Sequence, residues 1–475
     1  MVHYSCLLAE SLQSTATVTV LAPFDLRPIA TVENATAAQV ESALTHAFSS
    51  YQDKSRWIPT PQRIEILEKL ITLIRQQQET LAIDAAREGG KPLIDSKVEV
   101  ARGIDGIKIC IETLRTDAGQ VIPMDYNKAS ANRIAFTQKQ PIGVVVAISA
   151  FNHPFNLIIH QVAAAVAAGC PVIVKPATST PLSCLRLVHL LHEAGLPKTH
   201  AQAIVTDNNQ LAEKLCTDSR VAFFSFIGSA KVGWMLRSKL APGTRCALEH
   251  GGVAPVIVAA DANLDRAIPL LAKGGFYHAG QVCVSVQRIF VHHTLVNEFS
   301  TRLAAEIKPL KVGDPTSEET DIGPLISPHE IQRISQWVDD AINKGATLIC
   351  GGKTISETCY EPTILLNPPA DCTISQHEVF GPVVCIYSIH NLEQGIAQAN
   401  NLPFAFQGAV FTENLNTALM VYQQLDGSAI MVNDHTAFRV DGMPFAGLKH
   451  SGLGVGGIPH TMADMQIEKM LVIAK

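Results

Sequence analysis

Two strongly apolar segments near the middle of the chain decide its fold: Ile142–Ile148, with the sequence IGVVVAI, and Pro171–Lys175, with the sequence PVIVK. Short runs of this kind, rich in β-branched residues, predict strands that are buried on both faces. The segment between them, Asn156–Ala168, has the length and the composition of a helix. A strand, a helix and a second strand in this order predict a βαβ unit with a parallel sheet.

The alternation of strands and helices continues toward the C-terminus. The predicted segments are helix Leu182–Ala194, strand Ala203–Val205, helix Asn208–Cys216, strand Val221–Ile227, helix Ser229–Leu240, strand Pro255–Ala259, helix Asn263–Gly275, strand Gln287–His292 and helix Val296–Ile307. The rhythm is interrupted at Glu249–Gly252. We therefore predict an α/β fold with two doubly wound units, each with helices on both faces of its sheet.

The two ends of the chain follow a different pattern. Helices are predicted over Ala38–Gln52, Pro61–Gly89 and Val98–Leu114, and strands over Ile134–Gln140 and Met465–Ala474. Outlying strands need a partner edge for their backbone groups, and pairing with a neighbouring subunit is one way to supply it.

The composition excludes several classes of protein. Of the 475 residues, 47% are hydrophobic and 17% are charged, which provides for large buried cores and excludes intrinsic disorder. The net charge of -6, without long runs of like charge, argues against nucleic acid or an anionic membrane as the main partner. The sequence contains no clean apolar run of membrane-spanning length, and its start lacks the basic region of a secretory signal.

The eleven cysteines are scattered along the chain, and no two form a C-x-x-C pair. This distribution predicts neither a disulfide framework nor a zinc site, and we predict no other metal site. A reducing compartment, and hence a cytoplasmic protein, is expected. The slightly positive mean hydropathy favours an oligomer that covers apolar surface.

Two side chains suited to covalent and acid–base chemistry lie in glycine-containing segments. Cys283 lies in the segment GQVCVS, and a free thiol needs a base or positive surroundings to act as a nucleophile. Glu249 ends a strand before His250–Gly252, and a carboxylate buried behind glycines can serve as a general base. The alternatives are a buried apolar cysteine and an ordinary solvated glutamate.

Other candidate residues follow the predicted strands of the first unit. Asn152 follows the first of these strands, where a side-chain amide can donate to a developing oxyanion. Lys175 ends the next strand. Gly228, Ser229 and Gly233 lie between a strand and a helix, where backbone N–H groups suit a pyrophosphate. The G-x-G-x-x-G fingerprint is absent, so each signal taken singly also fits a turn or a cap.

Taken together, the motifs occur in the order and with the spacing of a known family. They are Asn152 with Pro154, Val174-Lys175-Pro176, Phe226-Ile227-Gly228-Ser229, Glu249-x-Gly251-Gly252, Gly280-Gln281-x-Cys283, Glu378-x-Phe380-Gly381-Pro382 and Pro444-Phe445-x-Gly447-x-Lys449-x-Ser451-Gly452. From Thr19 or so to the C-terminus, the sequence resembles the aldehyde dehydrogenase superfamily.

The resemblance implies a subunit of three parts. Residues 1–121 and 141–248 would form a Rossmann-like cofactor-binding domain, and residues 249–457 a catalytic domain. Residues 122–140 and 458–475 would form a small β oligomerisation element. Because members of the family form dimers and tetramers, a homodimer or a homotetramer is expected.

The resemblance also implies a reaction, in which a small aldehyde is oxidised to a carboxylic acid. Cys283 attacks the aldehyde carbon, and the side-chain amide of Asn152 with the backbone N–H of Cys283 holds the oxyanion. Hydride transfer to a nicotinamide leaves a thioester, which water activated by Glu249 then hydrolyses. Covalent catalysis of this kind splits one difficult step into two easier ones.

The implied cofactor is NAD or NADP. Its implied binding residues are Lys175 at the adenosine ribose, Gly228, Ser229 and Gly233 around the pyrophosphate, and Glu378 and Phe380 at the nicotinamide ribose and ring. Thr178 stands where many NAD-preferring members carry a glutamate that would repel a 2′-phosphate, so NADP is expected to be tolerated. His250 stands where a leucine or a methionine is usual.

The segments around the nucleophile and the tunnel bear on the substrate. Phe276–Arg288 and Asn433–Met443 most resemble members that act on small polar aldehydes, among them lactaldehyde, semialdehyde and phosphonoacetaldehyde dehydrogenases. Arg102, on the helix that walls the tunnel, and Arg439, near its mouth, are candidates for clamping an anionic group, unless they pair with surface carboxylates. Val282, where an arginine would favour a phosphonate, argues against a strongly anionic substrate.

Two alternative functions stay open from the sequence. Members that transfer the acyl group to coenzyme A generally lack a carboxylate at the position of Glu249, so its presence favours hydrolysis. A non-catalytic binding protein on the same fold is the second alternative. It conflicts with the presence of Cys283, Glu249, Asn152 and Lys175 together.

Overall fold

The computed structural model describes residues 1–12 and 14–474. The strands are β1 (Val2–Tyr4), β2 (Thr17–Leu21), β3 (Pro28–Glu33), β4 (Val121–Ile122), β5 (Arg133–Pro141), β6 (Val144–Ile148), β7 (Val172–Lys175), β8 (Ala201–Ala203), β9 (Val221–Ile227), β10 (Arg245–Glu249), β11 (Pro255–Val258), β12 (Arg288–His292), β13 (Thr347–Cys350), β14 (Thr363–Leu366), β15 (Val383–Ile389), β16 (Phe404–Ala405), β17 (Gln407–Phe411), β18 (Ala429–Val432), β19 (Leu448–Lys449), β20 (Gly452–Leu453) and β21 (Gln466–Ala474).

The helices lie between and around these strands. They are α1 (Ala37–Gln52), α2 (Thr60–Gln76), α3 (Gln78–Gly89), α4 (Leu93–Thr116), α5 (Asn156–Ile158), α6 (Ala164–Ala168), α7 (Leu182–Glu193), α8 (Asn209–Thr217), α9 (Ala230–Arg237), α10 (Leu264–Phe276), α11 (Val296–Ile307), α12 (Pro328–Asn343), α13 (Thr373–Gln376), α14 (Leu392–Asn400), α15 (Leu415–Gln424) and α16 (Ile458–Asp464). None of the helices in the described part of the chain is both long and apolar enough to cross a membrane.

The first large sheet has the strand order β20-β10-β9-β6-β7-β8. All its pairs are parallel except β20 against β10. Val144, Val145 and Val146 of β6 have no exposed surface, as expected for a central strand with helices on both faces. The second large sheet has the order β13-β14-β15-β12-β11-β17-β18 and is parallel except for β13. The predicted α/β fold with two doubly wound units is confirmed.

A small antiparallel sheet joins the middle of the chain to its C-terminus. It has the order β21-β5-β4, and β21 pairs with β5 over nine residues, from Gln466 opposite Pro141 to Ala474 opposite Arg133. The partner edge expected for these outlying strands therefore comes from the same chain. β21 nevertheless lies at the border of its sheet, and Met470–Ile473 are about half exposed.

The structure corrects several details of the predicted elements. The strand predicted over Ala203–Val205 lies at Ala201–Ala203. The helix predicted over Pro61–Gly89 is two helices, α2 and α3, which are separated at Gln77. The helix predicted from Val98 begins earlier, at Leu93. The segment Ile159–Ala163, inside the predicted helix 156–168, forms a π-helical turn that is fully buried. The three-stranded sheet β1-β3-β2 near the N-terminus was not predicted.

Candidate active site

Four of the sequence-predicted residues lie along one edge of the first large sheet. Asn152 follows β6, Lys175 ends β7, Gly228 follows β9 and Glu249 ends β10. These strands are consecutive neighbours in the order β10-β9-β6-β7 and run parallel. Their carboxyl ends therefore meet at one edge, which is where open α/β sheets bind ligands.

Cys283 lies in a loop with a strained entry that faces this edge. Three consecutive residues before it have left-handed backbone angles, with φ of 49° at His278, 52° at Ala279 and 68° at Gly280. A Cβ atom at Gly280 would overlap the carbonyl oxygen of Gly381, so this approach requires glycine. Backbone strain of this kind clusters at functional sites, where the surrounding structure holds it in place.

Hydrogen bonds from Gln281 hold the loop. Its side-chain Nε2 donates to the Pro324 carbonyl at 3.1 Å, and its Oε1 accepts from the backbone N–H of Ile326 at 3.0 Å. The Gln281 carbonyl accepts from Asn152 Nδ2 at 2.9 Å. One amide hydrogen of Asn152 thus bonds to the backbone two residues before Cys283, which fixes the side chain of Asn152 beside the loop. The second makes no hydrogen bond within the described structure.

Burial controls the electrostatics of the thiol. It raises the pKa of Cys283 to about 12, and the negative charges of Glu378 and Glu249 act in the same direction, while Arg439 lowers this pKa. Burial also raises the pKa of Glu249, and Arg439 again opposes the shift. The thiol is therefore protonated near neutral pH, and Glu249 is a better proton acceptor than an exposed glutamate.

Glu378 is a half-buried residue, and one oxygen of its carboxylate is buried without a hydrogen-bond partner among the described residues. Among the described residues its Oε1 has no hydrogen-bond donor, and burial raises its pKa to about 8. The carboxylate lies directly against the backbone of Gly251, where a Cβ atom would overlap it. Phe380, two residues on, has a φ of 48° and meets Phe151 edge to face at 5.7 Å between ring centroids. Glu378 and Phe380 line one small cavity, in which Glu378 provides a hydrogen-bond acceptor and Phe380 an aromatic wall.

Lys175 and Thr178 lie at the next strand end along the sheet. Lys175 Nζ donates to the Pro176 carbonyl at 3.2 Å, and burial lowers its pKa while Asp207 raises it. The hydroxyl of Thr178 donates to the Thr206 carbonyl at 3.3 Å. Asp207 was not found by sequence analysis, because it lies in a turn and has no motif around it.

The turn from β9 into α9 carries Gly228, Ser229 and Gly233. The Gly228 N–H donates to the Glu249 carbonyl at 3.0 Å, and the Gly228 carbonyl accepts from His250 Nδ1 at 2.8 Å. Ser229 makes no side-chain cap to α9. A Cβ atom at Gly233 would overlap the imidazole of His250. The turn is thus fixed from behind by the segment that carries Glu249.

Arg102 and Arg439 belong to one polar cluster but face different partners. Arg102 binds both oxygens of Asp441, at 2.7 and 3.2 Å. Asp441 also accepts from His160 Nε2 at 2.8 Å and from Asn156 Nδ2 at 3.1 Å. Burial alone would raise the pKa of Asp441, but His160 and Arg102 outweigh it and hold this pKa well below its usual range. The charge of Arg102 is therefore balanced within the protein.

Arg439 has no carboxylate partner among the described residues. Its guanidinium lies 3.5 Å from the ring centroid of Phe445, and its Nη2 lies 3.5 Å from His160 Nδ1. Its Nε is buried without an acceptor among the residues the structure describes. Its positive charge acts on both Glu249 and Cys283. One arginine, rather than the pair, is available to an anionic ligand.

Sequence analysis missed several residues around this cluster. The Tyr277 hydroxyl lies 3.3 Å from His153 Nε2, beside Asn152. Asp441 and His160 are separated by 281 positions, so no local pattern links them. The only signal available was adjacency, since Asp441 lies two residues after Arg439 and His153 directly follows Asn152.

Comparison with known proteins places these features in a family. Residues 10–471 match the model of the aldehyde dehydrogenase family. A 3-sulfolactaldehyde dehydrogenase from Priestia aryabhattai is 38% identical over 440 residues, which cover 93% of this chain and 90% of that protein.

Two solved structures extend the likeness over nearly the whole chain. Aldehyde dehydrogenase 21 from Physcomitrella patens, in complex with the reaction product succinate, is 32% identical with a TM-score of 0.95, covering 100% of this chain and 98% of that one. Glyceraldehyde-3-phosphate dehydrogenase GapN from Methanocaldococcus jannaschii, complexed with NADP, is 32% identical with a TM-score of 0.93, covering 97% of this chain and 100% of that one.

Proposed function

Because the chain belongs to the aldehyde dehydrogenase family, and so oxidises an aldehyde with NAD or NADP, we propose that Cys283 is its nucleophile and that its product is a free carboxylic acid. The observation that carries this proposal is the meeting of Cys283, Asn152 and Glu249. Asn152 is hydrogen-bonded to the nucleophile loop, and the charge of Glu249 acts on the thiol.

The residues present fit a nicotinamide dinucleotide. The unpartnered buried Oε1 of Glu378 suits the hydroxyls of a ribose, which are donors that a carboxylate accepts well. The turn at Gly228 and Ser229 opens α9, whose first N–H groups suit a pyrophosphate. Lys175 and Thr178 lie at the neighbouring strand end, with no carboxylate at position 178 to repel a 2′-phosphate. We assign dinucleotide binding mainly to residues 1–121 and 141–248, and the chemistry mainly to residues 249–457. Glu378 of the second part and Asn152 of the first reach across to the other task.

The first chemical step forms a bond between the Cys283 sulfur and the aldehyde carbon. As the bond forms, the thiol proton must leave and the carbonyl oxygen becomes an oxyanion. Glu249 takes the proton, because burial favours its protonated form. The free amide hydrogen of Asn152 and the backbone N–H of Cys283 donate to the oxyanion.

The second step removes a hydride from the carbon now bound to sulfur. The nicotinamide, when bound, supplies the hydride acceptor, and a thioester is left on Cys283. Glu249, after passing the thiol proton to solvent, accepts a proton from water, whose oxygen attacks the thioester carbon. The carbon–sulfur bond then breaks with the thiolate as the leaving group, which takes up a proton to restore the thiol. A glutamate able to activate water favours this route over transfer to coenzyme A.

Arg439 supports an aldehyde with an anionic group. It is the cationic side chain of the cluster that lacks an acidic partner in the described structure, and its charge reaches Cys283. Sulfolactaldehyde, glyceraldehyde-3-phosphate and succinate, named with the similar proteins, each carry an anion away from the reacting carbon. Arg439 supplies a cation even though Val282 takes the place of the arginine that would favour a phosphonate. Arg102 is assigned to holding Asp441 rather than the substrate.

We also infer a homodimer or a homotetramer. The half-exposed apolar residues Met470–Ile473 on the border strand β21 provide surface that a second copy would cover. The eleven cysteines, all free in the structure, support a reducing compartment such as the cytoplasm.

A panel of small aldehydes with NAD and with NADP tests the proposal. Reduced nicotinamide is measured with succinate semialdehyde, lactaldehyde, glycolaldehyde, phosphonoacetaldehyde and propanal, and Cys283→Ala is expected to abolish turnover with each. Folded protein that binds cofactor but oxidises none of them would contradict the reaction.

A substitution at Arg439 tests the substrate class. In Arg439→Gln, the ratio of kcat/KM for succinate semialdehyde to that for propanal is expected to fall by about 10- to 100-fold, as for loss of a charged hydrogen bond. Propanal is the internal control, because any effect of the lost charge on Cys283 applies to both substrates. An unchanged ratio would remove Arg439 from substrate recognition.

A further inference from the structure

His250 is a buried histidine beside the proposed base, and it faces away from the reacting groups. It is 2% exposed and lies between β10 and α9, with its ring 5.7 Å from that of Phe226 and 5.9 Å from that of Trp234. Its backbone N–H donates to the Ser451 carbonyl at 3.0 Å. The residue is therefore fixed on both sides, and its imidazole has one orientation.

The polar contact of this ring is with the cofactor turn. Nδ1 lies 2.8 Å from the Gly228 carbonyl oxygen, and since a carbonyl only accepts, Nδ1 carries the hydrogen. Nε2 is buried without a partner among the described residues. Burial lowers the pKa of His250, which keeps the ring neutral with one N–H. That single N–H donates to the Gly228 carbonyl.

The Gly228 carbonyl and the Ser229 N–H belong to the same peptide group. A trans peptide is planar, so its C=O and its N–H point in opposite directions. A hydrogen bond that holds the carbonyl toward His250 therefore directs the Ser229 N–H outward, into the crevice at the start of α9. In the described structure this N–H has no protein acceptor. Polarising the carbonyl also strengthens the N–H as a donor.

We propose that His250 is a positioning residue for the cofactor, which aims the Ser229 N–H at the pyrophosphate through its hydrogen bond to Gly228. The inference rests on the proposed function of this crevice. Gly233 is part of the same device, because a side chain there would occupy the space of the imidazole. The bond between the Gly228 N–H and the Glu249 carbonyl, at 3.0 Å, ties the turn to the strand of the base as well.

Two variants separate the hydrogen bond from the packing. His250→Leu fills the space but has no donor, whereas His250→Asn is smaller and places an amide N–H near the position of Nδ1. Each variant of the full-length enzyme is titrated by calorimetry with ADP-ribose, which has the pyrophosphate, and, in competition, with adenosine, which has no phosphate. Melting temperatures confirm that both variants are folded.

If the N–H of His250 positions the turn, ADP-ribose should bind most tightly to the wild type, less tightly to His250→Asn and least tightly to His250→Leu. ADP-ribose is expected to bind about tenfold more weakly to His250→Leu, and His250→Asn is expected to recover most of that loss. Adenosine affinity is expected to stay unchanged in both. With saturating aldehyde, KM for the cofactor rises in His250→Leu far more than kcat falls.

Failure of the role of His250 and failure of the proposed function give different results. Equal ADP-ribose affinity in all three proteins, or Asn behaving no better than Leu, would overturn the role of His250 while the enzyme activity stands. Wild-type protein that binds no ADP-ribose and oxidises no aldehyde would overturn the proposed function, and the role of His250 with it.

Discussion

Replacing Glu249 by glutamine gives the sharpest test of the chemistry. Glu249 ends β10, is half-buried, and its carboxylate lies directly against the backbone of Gly456, so a side chain of equal size is needed to fill its place. Glutamine keeps the volume and removes the proton acceptor. It leaves the oxyanion donors of Asn152 and Cys283 untouched. We expect a retained first burst of reduced nicotinamide and a slow steady state.

The size of the effect follows from the role of the carboxylate. A positioned general base contributes about 10²- to 10⁴-fold, which corresponds to about 2.7 to 5.4 kcal/mol of transition-state free energy. Hydrolysis of the thioester should slow by this factor. The loss of a negative charge near Cys283 lowers the pKa of the thiol, since Glu249 raises it. The lower pKa of the thiol compensates for the missing base in the first step, so we expect the burst of reduced nicotinamide to be retained.

Rapid mixing of enzyme, cofactor and aldehyde measures both phases at once. The burst amplitude should approach one per Cys283 in wild-type and in Glu249→Gln, with Cys283→Ala as the control without a burst. A steady-state rate equal to that of the wild type would refute the role of Glu249 in hydrolysis. Loss of the burst together with turnover would show that the first step cannot proceed without Glu249. Restoration of steady-state turnover in Glu249→Gln by added coenzyme A would favour acyl transfer.

Three further predictions follow from the geometry of the site. Thr178→Glu should weaken NADP binding by about tenfold or more while NAD affinity changes little, measured by titration, because a carboxylate repels the 2′-phosphate; equal losses for both would contradict it. Gly280→Ala should lower the free energy of unfolding by about 2 kcal/mol or more and remove most of the activity, because φ is 68° there and the added Cβ would overlap Gly381. The control Gly243→Ala has a φ of 89° but nothing within 4 Å of the added Cβ, and should retain activity. Asp441→Asn should cost about 3 kcal/mol at pH 7 in denaturant unfolding. The folded state lowers the pKa of Asp441, so this carboxylate stabilises the protein above its unfolded pKa of about 3.9 and stabilises it less as the pH falls below that value. The difference in unfolding free energy between wild type and Asp441→Asn should therefore narrow on acidification. A difference that does not change with pH would contradict this prediction.

Local patterns predicted the elements well where each strand is covered by helices. The segments Val221–Ile227 and Val296–Ile307 match the structure at both ends, since a buried strand and an amphipathic helix each impose a period on the sequence. The break at Gln77 escaped notice because it contains neither glycine nor proline. The N-terminal sheet escaped because its strands are short and partly exposed.

The site could be predicted as a set of residues but not as a set of contacts. Motif order found Cys283, Glu249 and Asn152, because each follows or ends an identifiable element. The pairing of Arg102 with Asp441 joins positions 339 apart and depends on tertiary packing. The same holds for the imidazole of His250 on the Gly228 carbonyl. Sequence spacing along one chain does not encode which of two arginines is neutralised.

The pairing of β21 with β5 has a consequence for synthesis of the protein. β5 ends at residue 141, but β21, which completes its hydrogen bonds, begins only at Gln466 and is made much later. β20, which closes the end of the first large sheet against β10, is also made late. Until β20 and β21 have been made, the nascent chain presents two open sheet edges, which are templates for aggregation. The synthesis of β21 therefore sets the time at which both sheets can be completed.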